Sequence, residues 1–214
     1  MRSVVGSLVA STSRGIGTLL AWVLAAALSG VAPAAASPAA ERRSAIDRQV
    51  AEVLRLKPGS RRISATSVLL APGVVMTVPG PVEAGATMTV PTQDGGRLTV
   101  AASDPSCPYQ WLCMWQHIYR GGAKLAFYYC KIQWLGDYTY RDAADGKVKS
   151  WRDTVSSIRN NQSGGAVSSF YNFHVWGDSY IGSLSAGNYL WDLTRDASAD
   201  GGSWNDKIDR VIVC

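Results

Sequence analysis

The sequence predicts an all-β domain over residues 107–214, built as two four-stranded Greek keys packed into one sandwich. Gly, Asn and Asp break this segment about every 8 to 12 residues, and few helical periods occur in it. The segment also repeats itself. Ser150-Trp151-Arg152-Asp153-Thr154-Val155-Ser156-Ser157-Ile158 aligns with Ser203-Trp204-Asn205-Asp206-Lys207-Ile208-Asp209-Arg210-Val211 at an offset of 53 residues. Upstream, Met114-Trp115-Gln116 with Gly121-Gly122 resembles Phe170-Tyr171-Asn172 with Gly177, offset by about 56. Two copies are too few for a solenoid or propeller. Finally, all nine Tyr, all three Phe and seven of the eight Trp lie between Cys107 and Cys214. Aromatic rings carry the most buried area, so the core belongs there, with Trp115, Trp151, Tyr171 and Trp204 expected in it.

The elements before this domain are of other kinds. Arg2 and Arg14 precede an apolar run, Ile16 to Leu28, followed by Gly30, Pro33 and Ala34-Ala35-Ala36. That order is a secretory signal peptide over residues 1–36, with an A-x-A site ending at Ala36. Thirteen residues fall short of the roughly 20 that span a bilayer. Export and cleavage predict a secreted, extracellular, soluble protein with no membrane contact. Removing residues 1–36 leaves 178 residues with 19 basic and 16 acidic side chains. A balance so close to neutral excludes a polybasic nucleic-acid binder.

Residues 37–106 contain no aromatic side chain. Ile46, Val50, Val53 and Leu54 define one face of an amphipathic helix that starts at Ser44, with Asp47 in a capping-box position, and stops at Pro58-Gly59. Ile63–Leu70 and Val74–Val78, separated by Ala71-Pro72-Gly73, predict a hairpin. A Pro/Gly-rich linker follows, with one short strand at Thr87–Val90. Two roles fit this segment equally: a leader or pro-region, and an accessory layer packed on the main domain.

Four cysteines, Cys107, Cys113, Cys130 and Cys214, imply two disulfides in an exported chain, with three connectivities open. Their C-x5-C spacing is not a zinc pattern. No G-x-S-x-G elbow, H-E-x-x-H motif or phosphate loop occurs, and the only histidines are His117 and His174. The chain therefore reads as a non-enzyme. Asn161-Gln162-Ser163 matches a glycosylation sequon of a length that recurs by chance.

The opening Cys107-Pro108-Tyr109-Gln110-Trp111-Leu112-Cys113-Met114-Trp115 is similar to the C-P-x-x-x-L-C-x-aromatic start of microbial peptidase inhibitors of βγ-crystallin fold, the streptomycete metalloproteinase inhibitor type. The duplicated strand, glycine turn and D-x-x-S-S-like segment resembles the same fold. The resemblance covers residues 107–214. It implies a βγ-crystallin-like sandwich, the pairing Cys107–Cys113 and with it Cys130–Cys214, and a secreted, monomeric inhibitor of an extracellular metallo- or serine peptidase. The loop between Gly136 and Gly146, with Tyr138, Tyr140 and Arg141, is the candidate protease-contact loop, beside the loop closed by Cys107–Cys113.

The same resemblance carries a calcium motif, [N/D]-[N/D]-x-x-[S/T]-S, whose hard oxygens suit that cation. The first copy keeps Asp153, Ser156 and Ser157 but has Arg152. The second keeps Asn205 and Asp206 but has Asp209-Arg210 in place of the serines. Two roles therefore fit Asp153, Ser156, Asn205 and Asp206: calcium ligands in a non-inhibitory extracellular binding or structural module, or turn residues bonding backbone amides. Calcium is the one cofactor in question.

Overall fold

Ser37 supplies the hydroxyl that starts the first described element. It caps α1 (Pro38–Leu56), accepting a hydrogen bond from the Ala40 N–H at 3.3 Å, and Pro38 sits in the first turn where no donor is needed. The helix thus starts earlier than the Ser44 capping box predicts. The computed structural model describes residues 37–79, 87–91, 97–101, 107–142 and 145–214, all within the unit Ala36–Cys214. The expected signal peptide lies outside the described residues.

The strands are β1 (Arg61–Arg62), β2 (Ser67–Ala71), β3 (Val74–Thr77), β4 (Thr87–Pro91), β5 (Arg97–Ala101), β6 (Leu112–His117), β7 (Gly121–Phe127) and β8 (Ile132–Trp134). They continue as β9 (Thr139–Arg141), β10 (Val148–Ser150), β11 (Ser157–Asn160), β12 (Val167–His174), β13 (Gly177–Ser185), β14 (Tyr189–Leu190) and β15 (Arg210–Ile212). Every pairing between them is antiparallel. The described part of residues 107–214 is all-β, with two single 3-10 turns. The lone strand expected at Thr87–Val90 is β4, which pairs with β5 in a hairpin of its own.

One sheet runs β1-β2-β3-β7-β6-β11-β14 and another β13-β12-β15-β8. Two strands therefore change sides. β8 follows β7 in the chain yet pairs with β15, and β14 follows β13 yet pairs with β11. Each half lends its third strand to the sheet of the other, so neither sheet is complete without both halves.

Alternation along β2, β3, β6 and β7 divides their side chains between two clusters. Val68, Leu70, Val74, Met76, Leu112, Met114, Leu125 and Phe127 face the main core, with Ile46, Val50 and Val53 of α1. Leu69, Val75, Cys113, Trp115 and Ala126 face a smaller cluster with Trp111. Trp151 and Trp204 are buried in the main core as expected, and Trp115 is buried on the opposite face of its sheet. A Cβ on Gly182 would overlap the Trp204 ring, so only glycine lets β13 approach that indole. Tyr171 is a correction. At the register shift between Phe170 and Tyr171 on β12, Phe170 takes the core, and Tyr171 is half-buried beneath the Arg210 guanidinium at 4.3 Å and edge-on to Tyr180 at 5.6 Å.

Disulfides join Cys107 to Cys113 and Cys130 to Cys214. The second closes a separation of 84 residues. In the chain-entropy model such a closure stabilises by about 4–5 kcal/mol.

The helix and hairpin pair and pack directly with the rest of the sheet. β3 pairs with β7 through Val74–Phe127, Val75–Ala126, Met76–Leu125 and Thr77–Lys124. A chain that begins at Cys107 would expose the β7 edge and the core face that Ile46, Val50 and Val53 cover, at about 1.5–3 kcal/mol per uncovered side chain. The expected outcome is one cooperative thermal transition for residues 37–214. The Cys107–Cys214 chain is expected to bind a hydrophobic dye and lose that transition; an unchanged melting temperature would refute this.

Candidate functional site

The repeat places two aspartates in the same unusual backbone state. Asp153 and Asp206 each have φ of 52°, a left-handed conformation that Asp tolerates better than most residues. Their amides cross-bond the two halves: Asp153 N–H donates to Ile208 O at 3.4 Å and Asp206 N–H to Val155 O at 3.2 Å. Three residues on, Ser156 N–H donates to Trp115 O at 2.9 Å, and its counterpart Asp209 N–H to Tyr171 O at 3.0 Å. The frames match, so the differences lie in the side chains.

In the second half, the buried Asp209 carboxylate accepts from Arg152 Nε at 2.9 Å and Nη2 at 3.3 Å. It also accepts from the Phe173 N–H at 2.7 Å. The Arg152 guanidinium lies 5.7 Å from the Phe173 ring centre. Asn205 of the second copy and Ser156 of the first stand at the matching positions. Asn205 Nδ2 donates to Asp206 Oδ2 at 2.6 Å, and Asn205 Oδ1 is buried with no partner among the described residues. Burial raises the Asp206 carboxyl above its ordinary value, against the lowering effects of Asn205 and His117. Burial also raises Asp153, helped by the charge of Asp209.

A cavity of about 550 Å³ opens beside these groups, between α1 with β3 and the β6–β7 turn. Its wall includes Gln116, His117, Tyr140, Arg141, Asp153, Ser156 and Asp206. The structure thus brings together residues that the sequence assigned to two different roles, while Asn205 stands behind Asp206. Among the described residues, no three His, Cys, Asp or Glu side chains cluster as a metal site.

Tyr138 and Tyr140 are not exposed contact residues. Both are buried, Tyr138 against Phe127 at 5.7 Å and Tyr140 against Trp151 at 5.7 Å. Burial, then the charge of Asp137, pushes the Tyr138 phenol up to about 12. Arg141 is engaged as well: its Nη2 donates to Glu52 Oε1 of α1 at 2.7 Å. Lys57 Nζ donates to Asp137 O at 3.1 Å. Helix α1 therefore fastens this hairpin down. Beside it, the Cys107–Cys113 loop buries Trp111 and leaves Tyr109 exposed. The sequon residue Asn161 uses its Nδ2 to bond Cys107 O at 2.7 Å, a structural role.

One exposed feature escaped the reading of the sequence. At the turn between β12 and β13, where His174 pairs with Gly177, Val175 is 91% exposed and Trp176 98%. Phe173 and Trp134, in edge contact at 6.0 Å, lie half-exposed at its base. The available signal was an apolar pair directly before a glycine, inside a stretch that otherwise alternates like paired strands.

The Glu52–Arg141 tie predicts a pH dependence. Hydrogen bonds from Arg55 and then Arg141 lower the Glu52 carboxyl from 4.5 to about 2. A folded-state value below the unfolded one means the stabilisation is complete above about 4.5 and is lost as pH falls toward 2. Thermal melts of wild type and Glu52→Gln should therefore differ at neutral pH and converge in acid; a constant difference would contradict the pairing. Set against family models, curated proteins and solved structures, the chain matches none of them.

Proposed function

We propose that the chain is a secreted, monomeric inhibitor of an extracellular metallo- or serine peptidase, and that the β12–β13 turn is the part that enters the enzyme. The observation that carries this reading is the pair Val175–Trp176, adjacent apolar side chains almost wholly in water at the tip of a long hairpin. Exposure on that scale has no folding purpose, whereas Trp is the side chain most favoured as a binding anchor. Peptidase specificity pockets accept one or two such side chains on an extended strand.

The scaffold supports the reading. β12 and β13 pair from Val167–Ser185 to His174–Gly177, and β12 is held on its other side by β15. A turn so held loses little freedom on binding, which leaves more of the contact energy as affinity. The reciprocal exchange of β8 and β14 supports a pair of Greek keys of βγ-crystallin type. Two disulfides suit an oxidising, extracellular compartment, and among the described residues no helix is long and apolar enough to cross a membrane. Inhibition is by obstruction of the cleft and needs no catalytic group.

The test is titration of a thermolysin-like and a subtilisin-like peptidase with the purified protein. At least one should lose activity at micromolar inhibitor. Trp176→Ala should weaken inhibition by at least about 30-fold, the scale of a binding hot spot, with an unchanged melting temperature. Full activity of both enzymes, or equal inhibition by the variant, would overturn the proposal.

A further inference from the structure

The internal duplication makes each half a control for the other. At one of the two matching sites the chain supplies its own cation: the Arg152 guanidinium of the first copy bonds the buried Asp209 of the second and lies over the Phe173 ring. At the matching site, formed by Asn205 of the second copy and Ser156 of the first, the arginine and the aspartate are both replaced by neutral side chains. What remains is the cavity wall. Ser156 is 92% buried, lines the cavity, and its hydroxyl has no hydrogen-bond partner among the described residues. Asp153 and Asp206, on the same wall, form no ion pair among the described residues.

The lysine and arginine on the cavity wall are committed elsewhere. Arg141 pairs with Glu52, and Lys149 with Asp142 and Asp145. Asp153 and Asp206 are thus the wall carboxylates left without an ion pair among the described residues, with His117 beside Asp206 and Arg152 beside Asp153 as the nearest basic side chains. Both residues lie on exposed turns, and partial desolvation of their carboxyls holds them above their ordinary values. Tyr140, Val53 and Met76 give the cavity an apolar side.

We propose that this cavity binds a monovalent organic cation, an alkylguanidinium or alkylammonium group, with Asp206 and Asp153 as its counter-charges, Ser156 as a further acceptor and the Tyr140 side as the wall for its alkyl stem. Calcium is the poorer fit. It asks for six to eight oxygens, and the counterpart site shows this frame satisfied by a single guanidinium against one carboxylate and a ring. The site is separate from the Val175–Trp176 tip and does not depend on the inhibitor reading.

Calorimetric titration of the purified protein with ethylguanidinium, with a blocked Gly-Arg-Gly peptide and with calcium chloride tests it. Ethylguanidinium should bind with Kd of about 1 mM or tighter. Tighter binding of the peptide would identify a protein side chain as the source of the cation, and equal binding a small molecule. Asp206→Asn, at an exposed turn, should weaken binding at least about tenfold, one opposite charge being worth that much in a partly desolvated site. Asn205→Arg combined with Ser156→Asp copies the Arg152–Asp209 site into its counterpart and should abolish binding by filling the cavity from within. If that pair fails to fold, Asp206→Asn decides alone. Trp176→Ala should bind the cation as wild type does. No heat with ethylguanidinium at about ten times that Kd, undiminished binding by Asp206→Asn, or tighter binding of calcium than of ethylguanidinium would each overturn the proposal.

Discussion

The antiparallel contact between β3 and β7 is the constraint on which the rest of the structure depends. β7 is flanked by β6 on one side and β3 on the other, so its alternating Leu125, Ala126 and Phe127 are buried on both faces. The hairpin that delivers β3 turns at Pro72-Gly73, where Gly73 takes a φ of 70°. Once β3 is docked, α1 has a surface to cover, and Ile46, Val50 and Val53 complete the core beside Met76 and Leu125. Glu52 and Lys57 then reach Arg141 and the Asp137 carbonyl, which sets the β9–β10 hairpin as one wall of the cavity. A pairing between segments about 50 residues apart thus decides whether the candidate site has a wall.

Duplication explains how one frame holds two electrostatic states. Asp153 and Asp206 keep the same left-handed backbone and reciprocal amide bonds, so the turns are interchangeable as backbone. Divergence fell on the polar positions. Ser157 Oγ donates to His117 O at 2.7 Å and accepts from Arg120 N–H at 3.1 Å, tying down the end of β6. Its counterpart Arg210 instead lies over Trp134 and Tyr171 and pairs with Asp178, while the Asp209 carboxylate holds the Phe173 amide. The site at Asp209 is therefore closed by an ion pair between the two copies, and the matching site at Ser156 is without one.

Local signals were the legible ones. The repeat identified Trp151 and Trp204 as equivalent, and both are core residues. The Pro72-Gly73 turn and the apolar face of α1 were readable because both depend on neighbours in sequence. Nothing local says that β3 pairs with β7, and so the helix-hairpin segment read equally well as a removable leader. The same long-range gap misplaced Tyr138 and Tyr140. Between glycines, with Asp and Arg around them, they read as a solvated loop, but α1 lies against that hairpin and buries them. Tyr171 failed for a different reason: the register of β12 shifts between Phe170 and Tyr171, and nothing in the sequence marks that irregularity or says which ring the core takes. The cavity joins side chains from both halves and from the helix-hairpin segment, so no single motif contained it.

Native-state hydrogen exchange at β3 and β7 tests the central structural claim most directly. If β3 is integral to the sheet, the amides that bridge Val74–Thr77 and Lys124–Phe127 exchange only through global unfolding, with the same free energy as those between β6 and β7. Exchange of the β3 amides through a separate, lower-energy opening, while β6–β7 stays protected, would show that the helix and hairpin are an appended layer and would contradict the account.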